Sequence, residues 1–371
     1  MLRMMRSVGA VLIGLAVLAA GAEKKPKANE PMNAHVGVVE RVFHPKAARN
    51  WRGAEKQELH VVVWYPAPVT AVEVAQVIGP SGAALFEAGM ASPNAPMVPA
   101  MKPLPLIVLS HGSGGSAMQM AWLGTALARA GFIVAAVDHP GNNSLQSYTA
   151  EGFALWWERA TDLSEVIDGM QADENFGPRI DKERIGAAGF SLGGYTVLEI
   201  AGAQTDISAL YDRCEKQPEQ MVCHTPEMKD QGTAQRLLAQ VRKTSGASLA
   251  ASGDSYKDAR VWAVFAIAPA PGFTLTQESL RAIRQPVEIV VGSADPIAPA
   301  NENASYVRSN IRGARETVLP NVTHYTFLDT CTEAGKKQLG VYCEDGAGVD
   351  RDKAHEQVAT EAVEFFEKVL R

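Results

Sequence analysis

Gly189-Phe190-Ser191-Leu192-Gly193 is the stretch of this chain whose residue types and spacing point most directly to chemistry. A serine with a glycine two positions to either side marks a sharp strand-to-helix turn that lifts the hydroxyl above a sheet, where it can attack as a nucleophile. The surroundings fit that use better than a glycine-rich turn of purely structural purpose. An apolar run, RIGAAGF, enters the motif, and GGYTVLEIAGA leaves it with helical spacing. A serine hydroxyl is a poor nucleophile until a base takes its proton, and turns of this kind carry their partners in the chain order serine, acid, histidine. Three histidines follow Ser191. His224 adjoins Cys223 in a polar stretch and His355 lies near the start of the final amphipathic helix. His324, in Asn-Val-Thr-His-Tyr after the last strand-like run, is placed to reach back over a sheet and is the expected base.

The acid must lie between them, at the exit of a strand. Asp254 and Asp258 precede a strand, residues 261–273 contain no acid, and the apolar run 286–293 exits at Ala294-Asp295-Pro296. Asp295 is therefore expected to orient His324 and to stabilise its imidazolium. A turn or N-cap aspartate is the competing role. His111-Gly112-Ser113-Gly114-Gly115 follows the apolar run LPLIVLS. Its glycines allow the backbone to approach a developing oxyanion, with the amides of Ser113 and Leu192 as the expected donors. Loss of one such donor costs about 2.7–4 kcal/mol. A phosphate cradle is the rival reading, but no Lys-Ser/Thr pair follows these glycines. His111 is expected to make structural hydrogen bonds. Asp138-His139-Pro140-Gly141-Asn142 ends another strand at the same edge; His139, with Trp122, is the candidate for contact with substrate. Turn geometry and helix packing compete for these two, as core packing does for Met118, Met120, Trp156 and Trp157.

Positioning these groups requires strand ends along one edge. Apolar or β-branched runs suited to strands occur at 35–42, 59–65, 104–109, 132–137, 185–190, 261–267, 287–291 and 316–319. Several are apolar throughout, as strands buried on both faces of a parallel sheet must be. Helical patterns lie between them at 121–130, 160–171 and 192–203, and a C-terminal helix stacks Val358, Ala362, Phe365, Phe366 and Val369 on one stripe. Strands alternating with helices predict a doubly wound α/β sheet. Residues 69–102 and 206–257 interrupt the alternation without enough apolar residues for cores of their own. Both are expected to be insertions over the carboxyl edge of the sheet, the second acting as a cap.

The chain has 371 residues, 46% hydrophobic and 20% charged, with a formal charge of −6. Disordered, collagenous and multi-span membrane classes are excluded by that composition, and nucleic acid is not an expected partner. Residues 1–22 read as a secretory signal peptide. Arg3 and Arg6 precede the apolar run from Val8 to Ala19, and Ala20-Gly21-Ala22 offers a small-residue cleavage site. That run is about a dozen residues, short of the roughly 20 needed to span a bilayer. A secreted or periplasmic protein without stable membrane insertion is expected, with the mature domain at 23–371. Four cysteines, Cys214, Cys223, Cys331 and Cys343, suit an oxidising compartment. Of three connectivities, the local one, Cys214 with Cys223 and Cys331 with Cys343, is expected.

LIVLSHGSGG, ALARAGFIVAAVDHPGN, DKERIGAAGFSLGGYTV, VEIVVGSADPIAP and NVTHYTF, in that order, make the chain similar to the α/β-hydrolase superfamily. Within it the chain resembles the dienelactone-hydrolase-like and platelet-activating-factor-acetylhydrolase-like group. The resemblance implies an α/β-hydrolase fold, a mostly parallel eight-stranded sheet with helices on both faces and a small inserted cap. It also implies hydrolysis of a small-molecule carboxylic ester through an acyl-enzyme, with no cofactor or metal. Dienelactone hydrolases use a cysteine where this chain has Ser191, so lactones are not implied. The acetylhydrolases carry their acid after the sixth strand, where this chain has none. Amide, peptide or polyester cleavage on the same triad is one alternative, and a catalytically inactive binding protein on this fold is another.

Overall fold

A computed structural model describes residues 34–100, 102–229 and 232–371. The signal-peptide reading of residues 1–22 lies outside the described residues.

All eight strand-like runs form strands. They are β1 (His35–Phe43), β2 (Leu59–Ala67), β5 (Leu104–Ser110), β6 (Ile133–Asp138), β7 (Ile180–Phe190), β8 (Val261–Ile267), β9 (Val287–Gly292) and β10 (Arg315–Leu319). Three further strands, β3 (Val74–Ile78), β4 (Phe86–Pro93) and β11 (Thr330–Cys331), raise the number among the described residues to eleven. The sheet order is β10-β9-β8-β7-β5-β6-β2-β1-β4-β11, with β3 paired to β4. From β10 to β6 every pair is parallel. β2 runs antiparallel to both β6 and β1.

The expectation of an eight-stranded sheet with 69–102 as an insertion over its carboxyl edge is corrected here. Residues 74–93 fold as a hairpin that extends the sheet beyond β1, to which β4 is joined by two residue pairs, Gly37 with Ser92 and Val38 with Pro93. β3 and β4 are short and half-exposed, so they lack the continuous apolar run by which central strands are recognised.

The helices are α1 (Ala121–Arg129), α2 (Ala150–Ala154), α3 (Arg159–Ala172), α4 (Leu192–Ile200), α5 (Ile207–Lys216), α6 (Ala234–Thr244), α7 (Gly246–Ala250), α8 (Gln277–Ala282), α9 (Ala304–Asn310), α10 (Glu333–Gln338) and α11 (Arg351–Leu370). They cover both faces of the central strands. A side chain at Gly186 of β7 would run into Phe366 of α11, whereas one at Gly189 would run into the Gly193 carbonyl of α4. Positions three apart on a strand point to opposite faces. α11 buries Val358, Ala362, Phe365 and Phe366 as its spacing predicts, with Leu370 rather than Val369 completing the stripe. Burial of each such large side chain contributes about 1.5–3 kcal/mol. Phe366 packs edge-on to Phe132, next to β6, and lies 6.3 Å from Phe265 of β8, which ties this helix to the central strands.

Candidate active site

The elbow is built by close backbone approach. Ser191 sits at φ 56° and ψ −119°, a region that costs a non-glycine residue about 1–3 kcal/mol. The strain is held from several sides. The Ser191 amide donates to the Ile267 carbonyl of β8 at 2.8 Å, and the Ser191 carbonyl accepts from Tyr195 at 3.0 Å and Ala270 at 3.1 Å. Glycine is needed at 193, where a Cβ would stand 1.9 Å from the Ser110 carbonyl oxygen.

From this turn the Ser191 hydroxyl lies 2.8 Å from His324 Nε2, and His324 Nδ1 lies 2.6 Å from Asp295 Oδ2. The other Asp295 oxygen accepts from the amides of Ile297 at 2.9 Å and Ala298 at 2.8 Å. Asp295 thus also caps its own turn, which fixes the carboxylate before it meets the imidazole. His324 enters on a one-turn 3₁₀ segment after β10, with Phe190 4.9 Å and Tyr325 5.4 Å away between ring centres. Three residues far apart in sequence are brought into one hydrogen-bonded line. A serine proton can pass to Nε2 while Nδ1–H stays on the carboxylate, which is the arrangement nucleophilic acyl transfer requires.

Leu192 begins α4, so its amide has no acceptor within the helix. The Gly112–Gly115 loop spends its other amides: Gly115 donates to the Gly112 carbonyl at 3.3 Å, and Gly114, at φ 65°, donates to Asn142 Oδ1 at 3.0 Å. Among the described residues no group accepts from the Ser113 or Leu192 amide, and both residues line the cavity above Ser191. Asn142 was not singled out in the sequence, although it stands in the Asp138–Asn142 turn. It is fully buried and it fixes the loop that carries Ser113.

Two expected substrate contacts are corrected. His139 does not line the cavity. Its ring is fully buried, with Nδ1–H donating to Asp162 Oδ2 at 2.6 Å and Nε2 accepting from Ser110 Oγ at 2.8 Å. Burial, then Arg159, push its pKa down to about 3, so it stays neutral. Trp122 also faces away: Nε1 donates to the Phe327 carbonyl at 3.0 Å, and the indole stacks on His355 with ring centres 4.4 Å apart. An indole on α1 is satisfied by the neighbouring loop and α11, leaving nothing for the cavity. Of the other aromatic and methionine candidates, Trp156 lines the cavity and Trp157, Met118 and Met120 do not. His111 is a structural residue: Nδ1–H donates to the Gly112 carbonyl at 2.6 Å and Nε2 accepts from the His139 amide at 3.2 Å. Burial foremost, with Arg159 and His139, holds its pKa well below the ordinary histidine value.

Beneath the loop, Asp162 of α3 gathers Arg49, Arg52 and His139, all buried. Burial alone would raise this carboxyl, but Arg52 and Arg49 with the His139 hydrogen bond keep it well below the usual range.

The cavity holds about 400 Å³. Residues 206–257 supply much of its far wall, including Leu210, Tyr211, Val222 and Met228, whereas residues 69–102 contribute Phe86. Cys214 is bonded to Cys223 within this wall, and Cys331 to Cys343 behind the His324 loop. Glu227 enters from the same segment and its Oε1 accepts from the Tyr325 hydroxyl at 2.7 Å.

The model of the alpha/beta hydrolase family matches residues 107–334, more than half of the chain, a span that includes Ser113, Ser191, Leu192, Asp295 and His324. The chain belongs to the alpha/beta hydrolase family. A second model, platelet-activating factor acetylhydrolase, isoform II, matches residues 54–154 of the chain. Its relatives include Cutinase est1 of Thermobifida alba, 32% identical over 105 residues, which span 28% of this chain and 32% of that protein. Lipase 1 of Moraxella sp. (strain TA144) is 33% identical over 89 residues, spanning 24% and 25%. Putative esterase NocK of Nocardia uniformis subsp. tsuyamanensis is 31% identical over 126 residues, spanning 31% and 33%. The chain therefore matches about a third or less of the length of these relatives. In fold it is similar to a ferulic acid esterase from Streptomyces cinnamoneus, with a TM-score of 0.61 over 92% of this chain and 91% of that one, at 22% identity. No helix among the described residues is long and apolar enough to cross a membrane.

Proposed function

We propose that the protein is an exported serine hydrolase that cleaves small carboxylic esters through an acyl-enzyme. The observation that carries this reading is the unbroken line from Ser191 Oγ through His324 to Asp295, at 2.8 and 2.6 Å. In the proposed cycle Ser191 Oγ attacks the ester carbonyl carbon, and its proton passes to His324 Nε2. The charge that develops on the carbonyl oxygen is met by the Ser113 and Leu192 amides. Collapse expels the alcohol, which takes the proton from His324. Water, deprotonated by His324, then attacks the acyl-serine and releases the acid.

Relatives named cutinase, lipase and esterase support ester cleavage over other acyl transfers. Export is supported by the two disulfides, which leave no free cysteine among the described residues, since such bonds persist in oxidising compartments.

A fluorophosphonate probe tests the reading directly. The expected result is one covalent adduct on the tryptic peptide containing Ser191, blocked by prior turnover of p-nitrophenyl butyrate. An unlabelled, inactive protein that is fully folded by circular dichroism refutes it. Amino-terminal sequencing of the protein recovered outside the cytoplasm is expected to begin at Glu23.

A further inference from the structure

One charged side chain in the cavity has no part in the proposed acyl-transfer steps. Glu227 lies in the 206–257 segment, is half-buried and faces the same space as Ser191 and His324. Its stem passes over the oxyanion loop: a Cβ placed on Gly114 would lie 3.4 Å from the Glu227 Cβ. Its carboxylate is aimed by the Tyr325 hydroxyl, and Tyr325 is the residue next to His324. Among the described residues no lysine, arginine or histidine forms an ion pair with it, and no lysine or arginine lines the cavity. The other polar side chains that line the cavity include the Gln119 amide, the His324 imidazole and the hydroxyls of Tyr148 and Tyr342. Burial, then the Glu227 charge, push both phenols up, which keeps them as hydrogen-bond donors. The cavity thus combines an apolar wall with one uncompensated negative charge. A polar group used only for packing would be neutralised or turned to solvent, since an unpaired charge near apolar surface is costly.

We propose that Glu227 is a specificity-determining residue that selects esters by charge. It repels substrates whose acyl or alcohol portion is anionic and admits neutral or cationic ones, the latter gaining a hydrogen bond to its carboxylate. This inference rests on the ester-hydrolase reading of the same site. The charge also acts on the product. Hydrolysis turns a neutral ester into a carboxylate within the cavity, and that anion is held less tightly beside a second negative charge. Specificity of this kind comes from a repulsive element as much as from an attractive one, and a field in a cleft walled by apolar groups is weakly screened.

The test compares p-nitrophenyl heptanoate with mono-p-nitrophenyl adipate, an acyl chain of similar length that ends in a carboxylate. The native enzyme is expected to favour the heptanoate in kcat/KM. In Glu227→Gln, whose amide oxygen can still accept from Tyr325, that preference is expected to fall roughly tenfold, equivalent to about 1.4 kcal/mol. Inhibition by free adipate is expected to strengthen in the same variant. Glu227→Ala must move the preference the same way. A preference that stays within about twofold in both variants, while heptanoate is still turned over, overturns the role of Glu227 and leaves the hydrolase reading intact. A native enzyme that turns over neither ester and takes no fluorophosphonate overturns both.

Discussion

Around Ser191 the backbone is anchored by partners that are themselves buried, whereas the 206–257 wall facing it buries a few side chains, Leu210, Leu237 and Val241 among them, and leaves much of its length exposed or half-exposed. On the strand side, Asn142, His139, Asp162 and Arg52 show almost no surface, and they hold the oxyanion loop through direct hydrogen bonds and an ion pair. On the wall side, α6 buries Leu237, Leu238 and Val241, while Glu227 and Met228 remain partly open. The difference is one of tolerance. The proposed acyl transfer requires groups held in a near-attack geometry, and Ser191, His324 and Asp295 are buried where packing leaves little freedom. The proposed substrate selection falls on a segment much of which is exposed or half-exposed.

The contrast can be broken at its strongest point by Ser191→Ala. Turnover of p-nitrophenyl butyrate is expected to fall by about 10⁴–10⁶, with the melting temperature essentially unchanged because the methyl fits where the hydroxymethyl was. Near-native turnover would remove the nucleophile from the strand side altogether. Asn142→Ala comes next. It strands the Gly114 amide, at a cost of about 1–3 kcal/mol, and loosens the loop that carries Ser113. The expected outcome is a kcat lower by roughly tenfold to a hundredfold with KM little altered, read from steady-state kinetics on one neutral ester. A change confined to KM would make Asn142 part of the binding wall instead.

Replacing Cys214 and Cys223 together by serine probes the other side. Their bond closes a loop of sequence separation 9, worth about 2–4 kcal/mol if the whole chain unfolded at once. Limited proteolysis is expected to open residues 206–257 first, with little change in the main thermal transition. A full drop in that transition would show that wall and sheet unfold as one unit.

The smallest effect concerns pH. Glu199 of α4 is buried, and burial pushes its pKa from 4.5 up to about 8 despite hydrogen bonds from Thr205 and Tyr195. A carboxyl whose folded pKa is raised contributes stability at acid pH that is lost as pH climbs from 4.5 through about 8. His139 and His355 act in the opposite direction. Burial lowers them to about 3 and about 4, so their contribution holds above 6.5 and is lost as pH falls toward those values. Glu199→Gln is therefore expected to raise the melting temperature relative to the native protein at pH 8 more than at pH 5 in calorimetry. An equal shift at both would refute the assignment.

The sequence reads differently on the two sides for the same reason. The elbow and the histidine loop could be found because each depends on a short stretch: glycines about a serine, a strand that enters and a helix that leaves, a histidine after the last apolar run. The central strands could be located because they are continuous apolar segments, although their order in the sheet could not be read from them. The cavity wall was not legible, because Tyr211, Val222 and Glu227 acquire their meaning only when residues 206–257 fold back over strands that lie elsewhere in the chain. His139 illustrates the limit from the strand side. It ends a strand at the correct edge, yet its ring turns inward to Asp162 and Ser110, and no local pattern shows that an aspartate on α3 will claim it. β3 and β4 were missed because polar residues interrupt them, Gln76 in the first and Glu87 in the second, so neither shows the continuous apolar run of a central strand.

Gly193 has a wider consequence. With the Ser110 carbonyl 1.9 Å from where its side chain would begin, the end of β5 and the first turn of α4 touch as bare main chain. Any side chain placed there would displace Ser191 and the strand leading into the Gly112–Gly115 loop in one movement. The two halves of the proposed catalytic apparatus are thus geared to each other, and neither can be retuned by evolution or by design without the other following.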